Sequence, residues 1–264
     1  MKTSNHLLRR LTAALLAAVL ALSIALPVFA SDDGDTIYIN SVSDLLSLAR
    51  NCAYDQWSVG KTVILQKDLS LEGMLWEPIP SFSGQFKGNG HTISDLTITG
   101  QYSPAGLFGI VEEQGSIESL SVRGVVSVSD SADTTTGGIV GVNHGTLINC
   151  QFTGVVTGDS EVGGIVGRNE SEGTIDHSTA RAIVTGKSST GGIAGYNLGA
   201  ITGCTNVGSI NTEYPEASLD TDGFTAKMVD YINNKMAAAD NDATNSVSNV
   251  ATDTGGIAGR SSGM

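Results

Sequence analysis

Three histidines, three cysteines and scattered carboxylates are the residues outside the first thirty that could do chemistry, and their spacing decides what chemistry is open to them. His91 follows an Asn-Gly turn in Gly88-Asn-Gly-His91, while His144 and His177 stand singly at non-equivalent positions. Cys52, Cys150 and Cys204 form no CxxC pair and no Cys/His spacing of the zinc-binding kind. Asp130 with Asp133, and Asp159 with Glu161, read as solvated turn residues. Asp220-Thr-Asp222-Gly223 resembles part of a calcium loop, but Val229 occupies the twelfth position, where such a loop needs an acid. The stretch therefore reads as a turn and an N-cap. A polysaccharide lyase needs clustered carboxylates for calcium and a base, and a hydrolase needs paired carboxylates at a groove. The basic residues Lys87, Arg123, Arg168, Arg181, Lys187 and Arg260 fall at unlike places in their segments, apart from Arg168 and Arg260. No catalytic, cofactor-binding or metal-ligating residue is assigned, and no cofactor is expected.

The elements that hold these residues follow from internal repetition. Gly137-Gly138-Ile-Val-Gly141 returns as Gly163-Gly164-Ile-Val-Gly167, Gly191-Gly192-Ile-Ala-Gly195 and Gly255-Gly256-Ile-Ala-Gly259, with Ala105–Gly109 as a degenerate first copy. A second block aligns on Gly115, Gly145, Gly173 and Gly199. Two residues on come Ile117, Leu147, Ile175 and Ile201. Five on come Leu120, Cys150, Ser178 and Cys204, and eleven on come Val126, Val156, Val184 and Ile210. Short runs rich in Val, Ile and Thr between Gly, Asn and Asp are strand chemistry with turn punctuation. A unit with three such strands cannot bury its own apolar face, but stacked units can. The pattern predicts an all-β, right-handed parallel β-helix. The rival, a β-propeller, has a longer unit with regular aromatics. Asn143, Asn169 and Asn197 sit two residues after each motif, and stacked at one corner they predict an amide ladder.

The same stacking bears on the cysteines. Cys150 and Cys204 share a column two coils apart, roughly 9.6 Å, whereas a disulfide needs Cα atoms about 4.4–6.8 Å apart. They are expected to be unbonded to each other and to face inward.

The chain opens with Lys2, Arg9 and Arg10, an apolar run from Leu11 to Leu26, and Val28-Phe29-Ala30. This predicts a signal peptide over 1–30, cut between Ala30 and Ser31. The run is short of the roughly 20 residues that span a bilayer. The β-helix domain then covers 31–264. Residues 37–60 are the expected N-terminal cap, with Ser41 or Ser43 capping a short helix. Residues 211–250 break the repeat as an insertion. Phe224, Met228, Ile232 and Met236 there predict a helix near 223–239 that packs on the solenoid. The last motif lacks its second block, which predicts a chain that continues in a longer protein.

Charge narrows the partners. Outside the leader, 11 basic residues face 27 acidic ones. Such a surface repels nucleic acid and anionic headgroups, and no membrane insertion is expected once the leader is gone.

The glycine motifs resemble the GLUG repeat of bacterial surface proteins. Trp76-Glu-Pro-Ile79 and Phe86-Lys-Gly-Asn-Gly-His-Thr-Ile93, leading to Gly106-Leu-Phe-Gly109, are similar to the first coils of pectate-lyase-like solenoids in that group. The resemblance implies an extracellular or cell-surface repeat protein. Some members carry an IgA-cleaving metalloprotease elsewhere in a longer chain, but this sequence holds no HExxH motif. The expectation is a non-catalytic adhesin or spacer whose partner is an extracellular protein or glycan. The alternatives are a polysaccharide-active β-helix enzyme, or an accessory repeat region of a larger surface protease. A carbohydrate-binding module ranks lower, because the repeats hold almost no aromatic besides Tyr196.

Overall fold

The structure is a computed structural model that describes residues 35–54, 56–128, 134–211 and 252–261. The signal peptide expected over 1–30, the pair Asp130/Asp133, the loop Asp220–Gly223 and the helix expected near 223–239 lie outside the described residues. Every strand pairing is parallel, and the strands stack into four sheets that wind as a β-solenoid of about six coils.

Sheet I holds Thr36–Ile39, Thr62–Leu65, Gln85–Lys87, Ser116–Glu118, Thr146–Ile148, Thr174–Asp176 and Ala200–Thr202. Sheet II holds Leu69–Ser70, Thr92–Gly100, Ser121–Val128, Gln151–Thr157, Thr179–Thr185, Thr205–Asn206 and Ser209–Ile210. Sheet III holds Thr135–Gly137, Glu161–Gly163, Ser188–Gly191 and Thr252–Gly255. Sheet IV holds Ile79–Phe82, Phe108–Val111, Val140–Asn143, Val166–Asn169, Ala194–Asn197 and Ala258–Ser261.

A full coil thus has four strands where the sequence predicts three. The glycine motif is the reason: its first glycine ends a strand of sheet III, and its last lies in a strand of sheet IV. At Gly163 an added methyl would fall inside the Val166 carbonyl. The chain can turn that tightly only without a side chain there.

The expected columns stack in register. Ile117, Leu147, Ile175 and Ile201 pair in sequence along sheet I. Val126, Val156, Val184 and Ile210 do so along sheet II. All of these are buried except Ile201 and Ile210, which belong to the last coil and are half-buried. Gly137, Gly163, Gly191 and Gly255 pair along sheet III. The step from Gly191 to Gly255 therefore spans one coil, although 63 residues lie between them in sequence.

A cluster of aromatic rings fills the early coils. Phe82, Phe86 and Phe108 meet with centroids 5.4–6.3 Å apart. Trp76 is buried and donates its indole N–H to the Leu107 carbonyl at 3.1 Å. Among the described residues there is one α-helix, α1 (Val42–Asn51). Ser41 caps it by accepting from the Asp44 N–H at 3.2 Å, and Asp44 accepts from the Asn40 N–H at 3.0 Å. These two bonds satisfy a free N–H at the helix start and fix the entry angle. Leu45 and Leu48 on its inner face join Ile39, Val63 and Leu65 in the core. No described helix is long and apolar enough to cross a membrane.

Candidate functional site

The chemistry-bearing residues separate into three settings: the buried asparagine column, the outer face of sheet IV, and the corner where sheet I turns into sheet II. Asn143, Asn169 and Asn197 pair in register at the end of sheet IV. Asn143 Nδ2 donates to Asn169 Oδ1 at 2.7 Å, and Asn169 Nδ2 donates to Asn197 Oδ1 at 2.8 Å. Each Nδ2 also donates to a carbonyl of its own turn, Gly145, Gly173 or Gly199, at 3.0–3.1 Å. Buried amides are costly unless bonded, and these are bonded to one another and to the backbone. Their polar atoms point inward, away from any ligand.

On the outer face of sheet IV, Arg168, Tyr196 and Arg260 occupy successive coils. The two guanidinium groups flank the Tyr196 ring at 4.8 and 5.8 Å from its centroid. Arg168 also donates to Glu161 at 2.8 Å and Glu170 at 2.6 Å. Partial burial works against its charge, but the two carboxylates outweigh it and hold the guanidinium pKa above its ordinary value. Glu161 is thus engaged by Arg168 and by the Thr135 hydroxyl, and Asp159 pairs with Lys187. That paired acids occupy these corners leaves little for a calcium ion. Among the described residues no three His, Cys, Asp or Glu side chains cluster as metal ligands would.

The sequence reading set Arg123 and Arg181 at unlike positions, and the register corrects this. Both pair with Thr153, from opposite sides, on the outer face of sheet II. Each lies eight residues after its block glycine, a spacing that aligning outward as well as inward positions would have exposed.

The third setting was not anticipated. A shallow polar cleft lies along the corner between sheets I and II, lined by Gly90, Ser119, Ser121, Asn149, Cys150, Gln151, His177 and Thr179. Ser119, Asn149 and His177 each turn the chain with φ of 53°, 53° and 46°. Gly203 follows in the next coil with φ 62°. Ser121, Gln151 and Thr179 open successive strands of sheet II in register. Asn149 Nδ2 donates to Ser119 Oγ at 3.3 Å. His177 Nδ1 lies 2.9 Å from Asp176, and His91 Nδ1 lies 3.1 Å from Asp68. The backbone N–H of Thr92, followed by His91, holds the Asp68 carboxyl below its ordinary pKa. His144 joins neither pair.

Cys150 forms the cleft floor but is fully buried, and burial pushes its thiol up to about 12. It is an inert, small apolar group rather than a nucleophile. Its column runs through Ser178 to Cys204: Ser178 Oγ accepts from the Cys150 N–H at 3.1 Å, and Cys204 Sγ accepts from the Ser178 N–H at 3.4 Å. All three cysteines are free.

Fold and glycine columns together define a parallel β-solenoid built from repeats. The repeat is of the GLUG kind: the family described as the GLUG motif matches residues 158–185, which run from the sheet II–III corner through one coil to the end of the next sheet II strand. Halomucin of Haloquadratum walsbyi is 31% identical over 155 residues, covering 54% of this chain and 2% of halomucin. A protein provisionally named Gly-rich membrane protein, from Evansella cellulosilytica, is 29% identical over 137 residues, covering 38% of this chain and 16% of that protein. The chain thus spans a small part of the curated relatives it matches. A crystal structure provisionally described as an immunoglobulin A1 protease from Bacteroides ovatus superposes with TM-score 0.53 at 20% identity, over 67% of this chain and 58% of that one. At that identity the likeness speaks for the fold alone.

Proposed function

We propose that this chain is a secreted or cell-surface repeat scaffold, a non-catalytic adhesin or spacer that contacts extracellular protein or glycan. The observation that carries the reading is the in-register stacking of four sheets, which repeats each outward position at nearly one coil's spacing along one axis. A solenoid of this kind presents rows of contact residues and is held by neighbour-to-neighbour packing. The groups best placed for chemistry are meanwhile spent on structure: the asparagines on one another, Arg168 on Glu161 and Glu170, Cys150 on the core. The names of halomucin and of the Gly-rich membrane protein fit a surface repeat protein. A strongly acidic composition fits a soluble exterior that repels anionic polymers.

The test is a binding array of glycans and extracellular host proteins, run on the full chain beside a depolymerisation assay on acidic polysaccharides. Retention of at least one protein or glycan without chain cleavage is expected. Release of unsaturated or reducing sugars would replace the scaffold reading with a polysaccharide-active enzyme.

A further inference from the structure

We propose that the cleft at the corner of sheets I and II is a subsite for an uncharged, extended polysaccharide that lies along the solenoid axis with about one sugar ring per coil. This rests on the reading of the chain as a contact scaffold and names what one of its surfaces contacts.

Two rows of side chains run parallel to the axis. The corner row is Ser119, Asn149 and His177, and the strand row is Ser121, Gln151 and Thr179. Successive coils rise by about 4.8 Å, close to the length of one pyranose ring in an extended chain. Each coil therefore offers one corner group and one strand group to each ring. Together they supply hydroxyls, amides and an imidazole, which donate and accept in the way sugar hydroxyls require. Within the described residues, the side-chain oxygens of Asn149 and Gln151 and the hydroxyls of Ser121 and Thr179 accept no hydrogen bond. The groups are left facing water and ready to exchange it for a ligand.

The backbone adds a second, independent argument. The corner position demands a left-handed residue, and glycine meets that demand without strain, as Gly203 does in the next coil. Three successive coils nevertheless keep Ser119, Asn149 and His177 there. Asparagine and histidine tolerate that conformation, but serine gains nothing from it, so at Ser119 the side chain is kept against the backbone's preference.

Charge selects the polymer. The chain carries a net charge of −13, which disfavours uronic or sulfated chains. The lining also lacks the aromatic or arginine anchor on which protein–protein contacts depend. Without an aromatic platform each ring is held weakly, and useful affinity comes from several rings bound at once.

The experiment is a ligand-observed NMR titration of the full chain with neutral β-linked hexasaccharides of glucose, mannose and N-acetylglucosamine, and with an oligogalacturonate as charged control. At least one neutral hexasaccharide is expected to bind, and the control is not. Asn149→Gly with Gln151→Ala removes two side chains while leaving the corner a residue that favours its φ. That double variant is expected to keep its thermal melt and lose at least tenfold in affinity. His177→Gly gives an independent second variant, expected to lose severalfold, should the first melt early. Absence of neutral-sugar binding, tighter binding of the oligogalacturonate, or equal binding by both variants would each overturn the assignment. Equal binding by the variants leaves the scaffold reading standing with its glycan contact elsewhere. A blank protein and glycan array would remove the scaffold reading itself. Loss of a protein contact in the variants, with no sugar bound, would make the cleft a protein interface instead.

Discussion

Ile39, Leu45 and Leu48 lie in the first described coil, and Ile201, Cys204 and Ile210 in the last full described coil, yet apolar groups of similar kind meet different surroundings. At the first coil, α1 lays two leucines over the interior, and Ile39 and Leu45 are wholly buried. At the last described coil, Ile201, Cys204 and Ile210 are half-buried, and Val207 and Ile257 are 37% and 40% exposed. Since each coil is held by its neighbours, an end coil lacks half its partners unless another element replaces them. The helix supplies that replacement at one end. The comparison teaches that stability in this fold is local, and that a side chain under the helix should matter more than a half-buried one such as Ile201.

Mutations can break or sharpen this picture. The largest effect is expected in the middle, where both neighbours are present. Val156 is buried between Val126 and Val184, so Val156→Asp would place an unpaired charge in the stack and cost more than about 4 kcal/mol. Asp159→Ala at a corner loses one exposed-lysine pair, worth about 1 kcal/mol or less. Thermal melts that found the two equally harmful would refute the assignment of inside and outside.

Next come the ends. Leu48→Ala should cost about 2–5 kcal/mol, as a buried leucine does. Ile201→Ala, half-exposed already, should cost clearly less. Equal losses in denaturant melts would mean that Ile201 is as enclosed as Leu48.

The buried thiol gives a pH test. In the unfolded chain Cys150 ionises near 9.0, while burial holds it protonated in the fold to about 12. Above pH 9 the folded state therefore binds more protons than the unfolded one, so stability is complete below that pH and falls as pH rises toward 12. Cys150→Ser, which copies Ser178 in the same column, should lessen the decline between pH 9 and 12. A melting-temperature profile identical in both proteins would show that the thiol is not buried.

The smallest effect is expected on the outer face of sheet IV. Arg260→Ala removes one of two cations from the Tyr196 ring, worth about 0.5–1 kcal/mol at an exposed site. Because this contact ties the last coil to its neighbour, the loss should appear as faster amide exchange at Ala194–Asn197 with little change elsewhere.

Much of the fold was legible because interior positions tolerate few residue types. The glycine motifs and the Ile and Val columns recur with nearly constant spacing, and that spacing became the register of sheets I to III. What escaped notice was governed by other rules. Four strands per coil were read as three, because a break of two glycines leaves no polar loop to mark it. The cleft escaped because Ser119, Asn149, His177 and Gly203 share a backbone conformation rather than a side-chain type. Each lies four residues after its block glycine, so the signal was present as a column of turn-forming residues. Arg123 and Arg181 were missed for a related reason: outward positions vary freely, and two matching residues with Thr153 between them do not look like a repeat.

The pairing of Gly191 with Gly255 carries a consequence for how such chains are built. In other coils the passage from sheet II to sheet III takes a few residues, as from Thr157 to Glu161. Here it takes 41, from Ile210 to Thr252, and the next strand still arrives in step. Lengthening a connection costs only about 0.6 kcal/mol per doubling, and parallel pairing on two sheets resumes on the far side of the long one. That corner is therefore a graft port. A foreign peptide of similar length inserted there would be addressed to a single known coil.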